Sequence, residues 1–513
     1  MRRSKAVLLG ASGATLALTI SACSFSGGSG NGAATGSGNA IIDMQFTPRA
    51  NFALETDDAF ILSQIGCLET LVRYDEGTGK LQPSLATAWK QTTPTTWDFT
   101  IRDGVTFQNG TKLTAANVAG ALSRALHVET PARSFKPSVV SDVKALDSST
   151  VRVTSPKPNA LIPFNLASVN TGILAPEAFK ANRVDPIGAC TGPFKATAYT
   201  QGQSMKLVRN DQYWGAKPAL GSVEAKFVPD GATRATQVRT GEADIALGIP
   251  ASSLADLKGD KNVVVTQTGA PKTNGLYLNT SKAPFNNPDV RRAIQLAIDT
   301  SAIASQVYDG TAQPAIGPFA PNEPWSPKDR AAKQNLDQAK ALLKSAGVDP
   351  GKLSLELLGY TEHPEFPDLA TVIQSDLAKI GVTVKVRIAD YAAIEPSLLS
   401  GKYDMALLSR NHLIDIPDPL GFLSSDYTCK GSFNISHYCS PELDKLIADA
   451  GSKPEVQDRD AIYAQIAQKL QDDAVTVFLV HEQSTAVARA NVKNFHIDPL
   501  ARDAITPTLT VGG

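Results

Sequence analysis

Few folds accommodate residues 353–388. Leu353, Leu355 and Leu357 alternate with other residues, as do Val382, Val384, Val386 and Ile388, which is the two-residue period of strands with one face covered. Between them Leu369, Val372, Ile373 and Leu377 recur at helical spacing over about 367–379, and Gly381 supplies a C-terminal stop. Strand, helix and strand in that order make a βαβ unit, so the chain belongs to the α/β class. The same mixture continues elsewhere. Asn335 caps a helix carrying Leu336, Ala339, Leu342, Leu343 and Ala346 that stops at Gly347. Asn287-Pro288 opens another, with Val290, Ile294 and Ala297 inward, and a last long helix over about 456–472 runs into an apolar strand at 475–480. At 513 residues, 42% hydrophobic and 19% charged, the chain has the composition of a large globular protein of about three structural units. No internal repeat is visible.

Lys+Arg 49 against Asp+Glu 50 argues against nucleic acid as partner, because a phosphate backbone demands a surplus of cations on one face. A small partner is expected. The N-terminus sets the compartment: Met1-Arg2-Arg3-Ser4-Lys5 is positive, and residues 6–20 are uncharged but too short a run to span a membrane, which is the pattern of a secretory signal. Ile20-Ser21-Ala22-Cys23 closes it and resembles the lipobox of bacterial lipoproteins, implying cleavage before Cys23 and lipidation of its thiol. Residues 1–22 are then a signal peptide. The mature chain is expected outside the cytoplasm, anchored through lipid to the bacterial cell membrane, and three charges more negative than the formal −1. Residues 23–39 are Gly/Ser-rich and read as a flexible tether with a reach of about 20 Å. Their glycines follow no strand, so they do not make a dinucleotide-binding loop.

With Cys23 assigned to lipid, four cysteines remain, an even number in an exported chain, which favours disulfides over metal thiolates. Cys429 and Cys439 flank a short polar loop whose size suits a local bridge, leaving Cys67 for Cys190. There is no C-x-x-C pair, and His127, His363, His412, His437, His481 and His496 are scattered, so no metal site is expected. G-x-S-x-G, H-E-x-x-H and the phosphate-binding G-x-x-x-x-G-K-[ST] are all missing. No catalytic residue and no cofactor are expected, with an exported hydrolase of peptides or esters kept as the alternative of a different class.

A longer set of ordered segments is more telling than any single motif. Glu69-Thr70-Leu71-Val72-Arg73-Tyr74-Asp75 is followed by Leu81-Gln82-Pro83-Ser84-Leu85-Ala86, Trp97-Asp98-Phe99-Thr100-Ile101-Arg102-Asp103-Gly104-Val105-Thr106-Phe107 and Gly110-Thr111-Lys112-Leu113-Thr114. Thr191-Gly192-Pro193-Phe194, Asn210-Asp211-Gln212-Tyr213-Trp214, Gly241-Glu242-Ala243-Asp244 and Pro284-Phe285-Asn286-Asn287-Pro288-Asp289-Val290-Arg291-Arg292-Ala293 continue the series. Together they resemble the family 5 extracellular solute-binding proteins, the peptide and nickel receptors of ABC importers. Read physically, most of these segments are structural: turns at Gly104 and Gly110 around a strand, a helix cap at Thr114, packing at Tyr213 and Trp214, and a helix-to-strand joint at 241–244.

The resemblance implies a two-lobed, periplasmic-binding-protein-like clamp with mixed sheets, a hinge and an additional domain. Lobe I would take 40–72, 186–280 and 485–513, the additional domain II 73–185 and lobe III 281–484. The crossings near 272–279 and 481–485 would form the hinge, closing over a ligand that the membrane permease then receives. The implied cargo is an oligopeptide or dipeptide, with a nickel complex, haem, glycoside or opine-like molecule as alternatives, and the receptor is expected to be a monomer.

In peptide-binding members one segment supplies a carboxylate for the peptide's α-amino group. It matches Asp415-Ile416-Pro417-Asp418-Pro419, and alignment on the proline and on Phe422 puts that role on Asp415. Peptide receptors often carry a Trp three residues earlier, where this chain has His412, able to hydrogen-bond, stack or ligate a metal through its neutral imidazole. Arg410 is a candidate for a ligand carboxylate, although alternation along an extended segment can equally turn it to solvent. Tyr277 and Asn274, on the strand entering the hinge, complete the candidates, and Asp418 reads as structural.

Overall fold

The computed structural model describes residues 38–76, 78–180, 183–326 and 333–512. Cys23 and the greater part of the expected tether lie outside the described residues. Asn39, counted in that tether, already pairs with Ser222 as the first residue of a strand.

One mixed sheet of 11 strands runs through the molecule, and the βαβ unit sits at its far edge. Strands Ser354–Tyr360 and Thr383–Ala389 pair in parallel, joined by the helix Phe366–Ala378. Gly381 turns the chain out of that helix at φ 88°, a conformation without steric cost only for glycine. Helix Leu336–Ser345 is capped by Asn335, whose side chain accepts from Gln338 N, and Pro288–Ala297 by Asn287. The last long helix spans Val456–Asp472. Thr114 and Asn117 form a reciprocal capping box on Ala115–His127.

From one edge the sheet runs Phe194–Thr200, Ser204–Arg209, Ser222–Phe227, Asn39–Met44, Ile245–Leu247, Thr476–Arg489, Val263–Leu278, Met405–Asn411, Ser354–Tyr360 and Thr383–Ala389, with Ala312–Pro314 pairing onto Thr476–Arg489. Two long strands at its centre therefore join the halves. Val263–Leu278 and Thr476–Arg489 pair antiparallel from Val263 opposite Arg489 to Gly269 opposite Gln483, lose register, and resume at Thr273 opposite His481. The break falls on Ala270, Pro271 and Lys272, where proline has no amide to donate. The sequence marks the apolar part 475–480 of the second strand, but the strand continues to Arg489, because ladder bonds to a partner some 200 residues away hold its polar half in place.

A separate four-stranded antiparallel sheet, ordered Ala86–Thr93, Thr96–Ile101, Thr150–Thr154 and Asp142–Ala145, carries helix Ala115–His127. Its buried Phe99, Val118, Leu122 and Val151 belong to the same continuous cluster as Ile42, Val223 and Ala225 of the large sheet, so this module shares a core with the first half. Between Gly104 and Gly110 the expected strand is reduced to a single bridge, Thr106 with Lys112. The second half has its own core, with Leu276, Ile294, Leu343, Leu357 and Ile373. A third cluster crosses between halves, packing Tyr74, Phe164 and Leu500 with Phe319, Leu413 and Tyr463. Disulfides join Cys67 to Cys190 and Cys429 to Cys439. No helix among the described residues is long and apolar enough to cross a membrane.

Candidate functional site

Where the halves face each other, the chain leaves strand Met405–Asn411 and turns back before helix Leu420–Asp426. Three local bonds shape this turn: His412 N donates to Pro271 O (3.0 Å), Leu413 N to Asn411 Oδ1 (3.1 Å) and Leu420 N to Asp418 Oδ1 (2.9 Å). The strip 413–417 borders a small cleft together with Phe60, Ala167, Val169 and Leu500 of the first half. It lines two further cavities, and Ala167 and Val169 line a third. One of about 210 Å³ is lined by Arg410, His412, Asp415 and Phe433 together with Arg133 and Lys136 from the loop 128–141. A second, about 320 Å³, lies against Tyr74, Glu76, Pro271, Glu323 and Trp325, and a third, about 530 Å³, against Glu69, Arg73, Tyr213, Trp214 and Asp503.

Three of the five residues expected at the site meet in the first cavity. Asp415 is 40% exposed at its side chain, and its Oδ1 takes both Nε and Nη2 of Arg133 at 3.1 Å. Arg410 lies over the Phe433 ring at 4.3 Å and is held in a fork by Asp426, Nε to Oδ2 at 2.6 Å and Nη2 to Oδ1 at 2.8 Å. Burial pushes the Asp426 carboxyl up, with Arg410 opposing it. Arg410 therefore reaches the cavity wall with its charge already compensated by the protein. His412 is buried edge-on to Phe319, its Nε2 bonded to Glu323 Oε1 at 2.6 Å and its Nδ1 without a partner.

Asn274 and Tyr277 line none of these cavities. Their strand runs mid-sheet between Met405–Asn411 and Thr476–Arg489, so both faces are covered. Asn274 donates to Tyr308 Oη at 2.7 Å, and Tyr277 packs with Leu358, Leu398 and Tyr403, burial pushing its phenol up. Asp418 is structural, as its sequence context suggests, with Arg459 Nε and Nη2 each at 3.0 Å.

At the break between the crossing strands, polar side chains form two clusters. Glu482 takes Lys272 Nζ at 2.8 Å and His363 Nε2 at 2.7 Å, while His363 Nδ1 faces Glu365 at 2.9 Å. Burial works to raise the Glu482 carboxyl, but Lys272 and His363 hold it at about 2. His481 Nδ1 meets Thr273 Oγ1 at 2.9 Å, and burial lowers this imidazole to about 3. Among the described residues no three His, Cys, Asp or Glu side chains are grouped to hold a metal ion.

The sequence reading overlooks one hub that its own segments contain. Glu69 accepts from Tyr213 Oη at 2.8 Å, Trp214 Nε1 at 2.9 Å and Thr191 Oγ1 at 2.8 Å, so two separated motifs converge on the carboxylate of a third. Tyr213 and Trp214 thus do more than pack; buried polar tips need partners. Arg133, Lys136 and Asp426 carry no local signal.

The sequence profile of the bacterial extracellular solute-binding proteins, family 5 (middle part), matches residues 80–434. The chain belongs to this family. This solute-binding protein is 30% identical over 448 residues to the probable D,D-dipeptide-binding periplasmic protein DdpA of Escherichia coli (strain K12), covering 84% of this chain and 86% of that one. Its fold superimposes on a nickel ABC transporter protein of Bacillus halodurans with a TM-score of 0.82 at 26% identity, covering 92% of this chain and all of the other. It also matches the periplasmic binding protein DppA of Helicobacter pylori in complex with the peptide STSA, with a TM-score of 0.71, 25% identity, and 92% and 98% coverage.

Proposed function

We propose that this solute-binding protein is a receptor for short peptides that closes about its two crossing strands and hands its cargo to the permease of an ABC importer. The carrying observation is Asp415, a carboxylate presented in a cavity between the halves, whose one ion pair among the described residues is with the exposed Arg133. A peptide's α-ammonium needs such a counter-charge once it leaves water. The dipeptide relative of Escherichia coli and the peptide complex from Helicobacter pylori support the same cargo class. His412 is poorly presented to a nickel complex, its Nε2 being bonded to Glu323 and its ring lying edge-on to Phe319.

Residues 40–72, 186–280 and 485–513 act in this reading as lobe I, 73–185 as an added domain and 281–484 as lobe III. The register break at 270–272 gives closure a place to bend with few ladder bonds lost. No step of chemistry on the ligand is needed, since binding free energy that favours the closed form suffices. Cys23 carries the lipid anchor, so Cys23→Ser protein should leave the membrane fraction for the medium, the acyl chains being what holds it. Native mass spectrometry of freshly purified protein tests the cargo: a retained mass resolving into short peptides supports the reading, and a retained metal complex or porphyrin refutes it.

A further inference from the structure

The four-stranded module is fixed to the first half in two ways. Their cores are continuous, and Cys67–Cys190 bridges the segments that lead the chain into the module and out of it. Beside that bridge the backbones also close in, since a Cβ on Gly192 would lie 2.4 Å from Gly66 O. The short helix Ile162–Asn165 nevertheless faces two ways. Ile162 and the following Leu166 pack in the shared core, whereas Leu161 and Phe164 belong to the apolar cluster that crosses to Phe422, Ile447 and Tyr463. Phe164 meets a charge there. Cζ of Arg459 lies over its ring, 4.9 Å from the centroid. This guanidinium is fully buried and is held by its own half, through Asp418 Oδ2 at 3.0 Å and the carbonyls of Lys453 and Pro454 at 2.9 Å. Tyr463 Oη donates to the other oxygen of Asp418 at 2.5 Å. The second half thus builds a cationic platform, and the module supplies its aromatic cover.

We propose that Phe164 is a latch between the module and the second half, and that its seat on Arg459 holds the closed form together whatever the cargo. This rests on the hinge reading above and adds a contact outside the crossing strands; neither Phe164 nor Arg459 lines the Asp415 cavity. Because the module and the first half share one core, parting the halves at 270–272 lifts the ring off the guanidinium. Opening therefore exposes apolar surface and gives up a cation–π contact that desolvation strengthens. Asp418 already balances the charge of Arg459, so removing the ring loosens closure without stranding an ion. The module thereby acquires a mechanical role, clasping the second half.

The test measures the gap by pulsed electron paramagnetic resonance on the Cys23→Ser chain, dialysed free of cargo. Spin labels go on Ser148→Cys in the module and Lys445→Cys in the second half, both exposed positions. With Phe164 in place the short distance should dominate. Phe164→Ala should raise the ratio of open to closed roughly tenfold, and Phe164→Leu by less. Phe164→Lys, which sets a second cation beside Arg459, should open the gap furthest. Val151→Ala, which trims the module's own core, should stay within twofold. If Phe164→Lys opens the gap and Phe164→Ala does not, or Val151→Ala opens it as far as Phe164→Ala, the latch falls and the hinge reading stands. A chain already open with Phe164 in place likewise overturns the latch alone. If the short distance persists even in Phe164→Lys, the halves do not part, and the hinge reading falls together with the latch.

Discussion

Within one turn and its flanks, 410–418, the chain places two kinds of ion pair side by side. Asp418–Arg459 is buried, and Arg410–Asp426 sets a partly exposed guanidinium on a buried carboxylate; both are internal to one half, each with a geometry that consumes its charge. Asp415–Arg133 is exposed, crosses to the four-stranded module and leaves an oxygen open. Buried pairs of the first kind are costly to break because the surviving charge has no solvent; pairs of the second kind contribute little to stability. Charge alone therefore does not mark a binding residue. What distinguishes Asp415 from Asp418, three positions away, is that its partner can leave.

Removing one member of a buried pair should give the largest effect. Asp418→Ala, which strands the buried Arg459 guanidinium, should lower unfolding free energy by about 3–5 kcal/mol in denaturant titrations, and Asp426→Ala, which frees the partly exposed Arg410, by less. A loss under about 1 kcal/mol in both would erase the contrast with Asp415. A second effect comes from acid. Glu482 sits at about 2, below its ordinary value, so the stability it contributes is present above that ordinary value and is lost as pH falls toward 2. Wild type should therefore weaken by on the order of 3 kcal/mol between about pH 4.5 and pH 2, and Glu482→Gln should flatten that limb. An equally steep limb in the variant would show that other carboxylates govern acid unfolding. The smallest effect belongs to the exposed pair, where Arg133→Gln should change stability by less than about 1 kcal/mol.

Local features of the fold were legible in the sequence because their causes are local. The caps at Asn287 and Asn335, the glycine stop at Gly381 and the span Val456–Asp472 each follow from a handful of neighbouring residues. Thr476–Arg489 was legible only in its apolar half, since the rest is strand by virtue of a partner more than 200 residues away. The same limit applies at the site. Asp415 and its cavity neighbours Arg410 and His412 come from one short segment and could be grouped from it, whereas Asn274 and Tyr277 are turned into the sheet by pairing on both sides. Asp426, Arg133 and Glu323 became visible only with the tertiary contacts they make. Glu69 is the intermediate case: all its donors lay in recognised segments, but nothing local says that those segments meet.

The exchangeability of Asp415 is best measured by calorimetry of one peptide and its N-acetylated form against wild type and Asp415→Asn. The Asn variant keeps size and hydrogen-bonding capacity but loses the charge, and a bound ammonium left unpaired should cost about 30- to 1000-fold in affinity. Acetylation should weaken wild type strongly and the variant much less, because each change removes one side of the same pair. Unchanged peptide affinity in Asp415→Asn, or equal sensitivity of both proteins to acetylation, would contradict the assignment of the ligand's amine to Asp415.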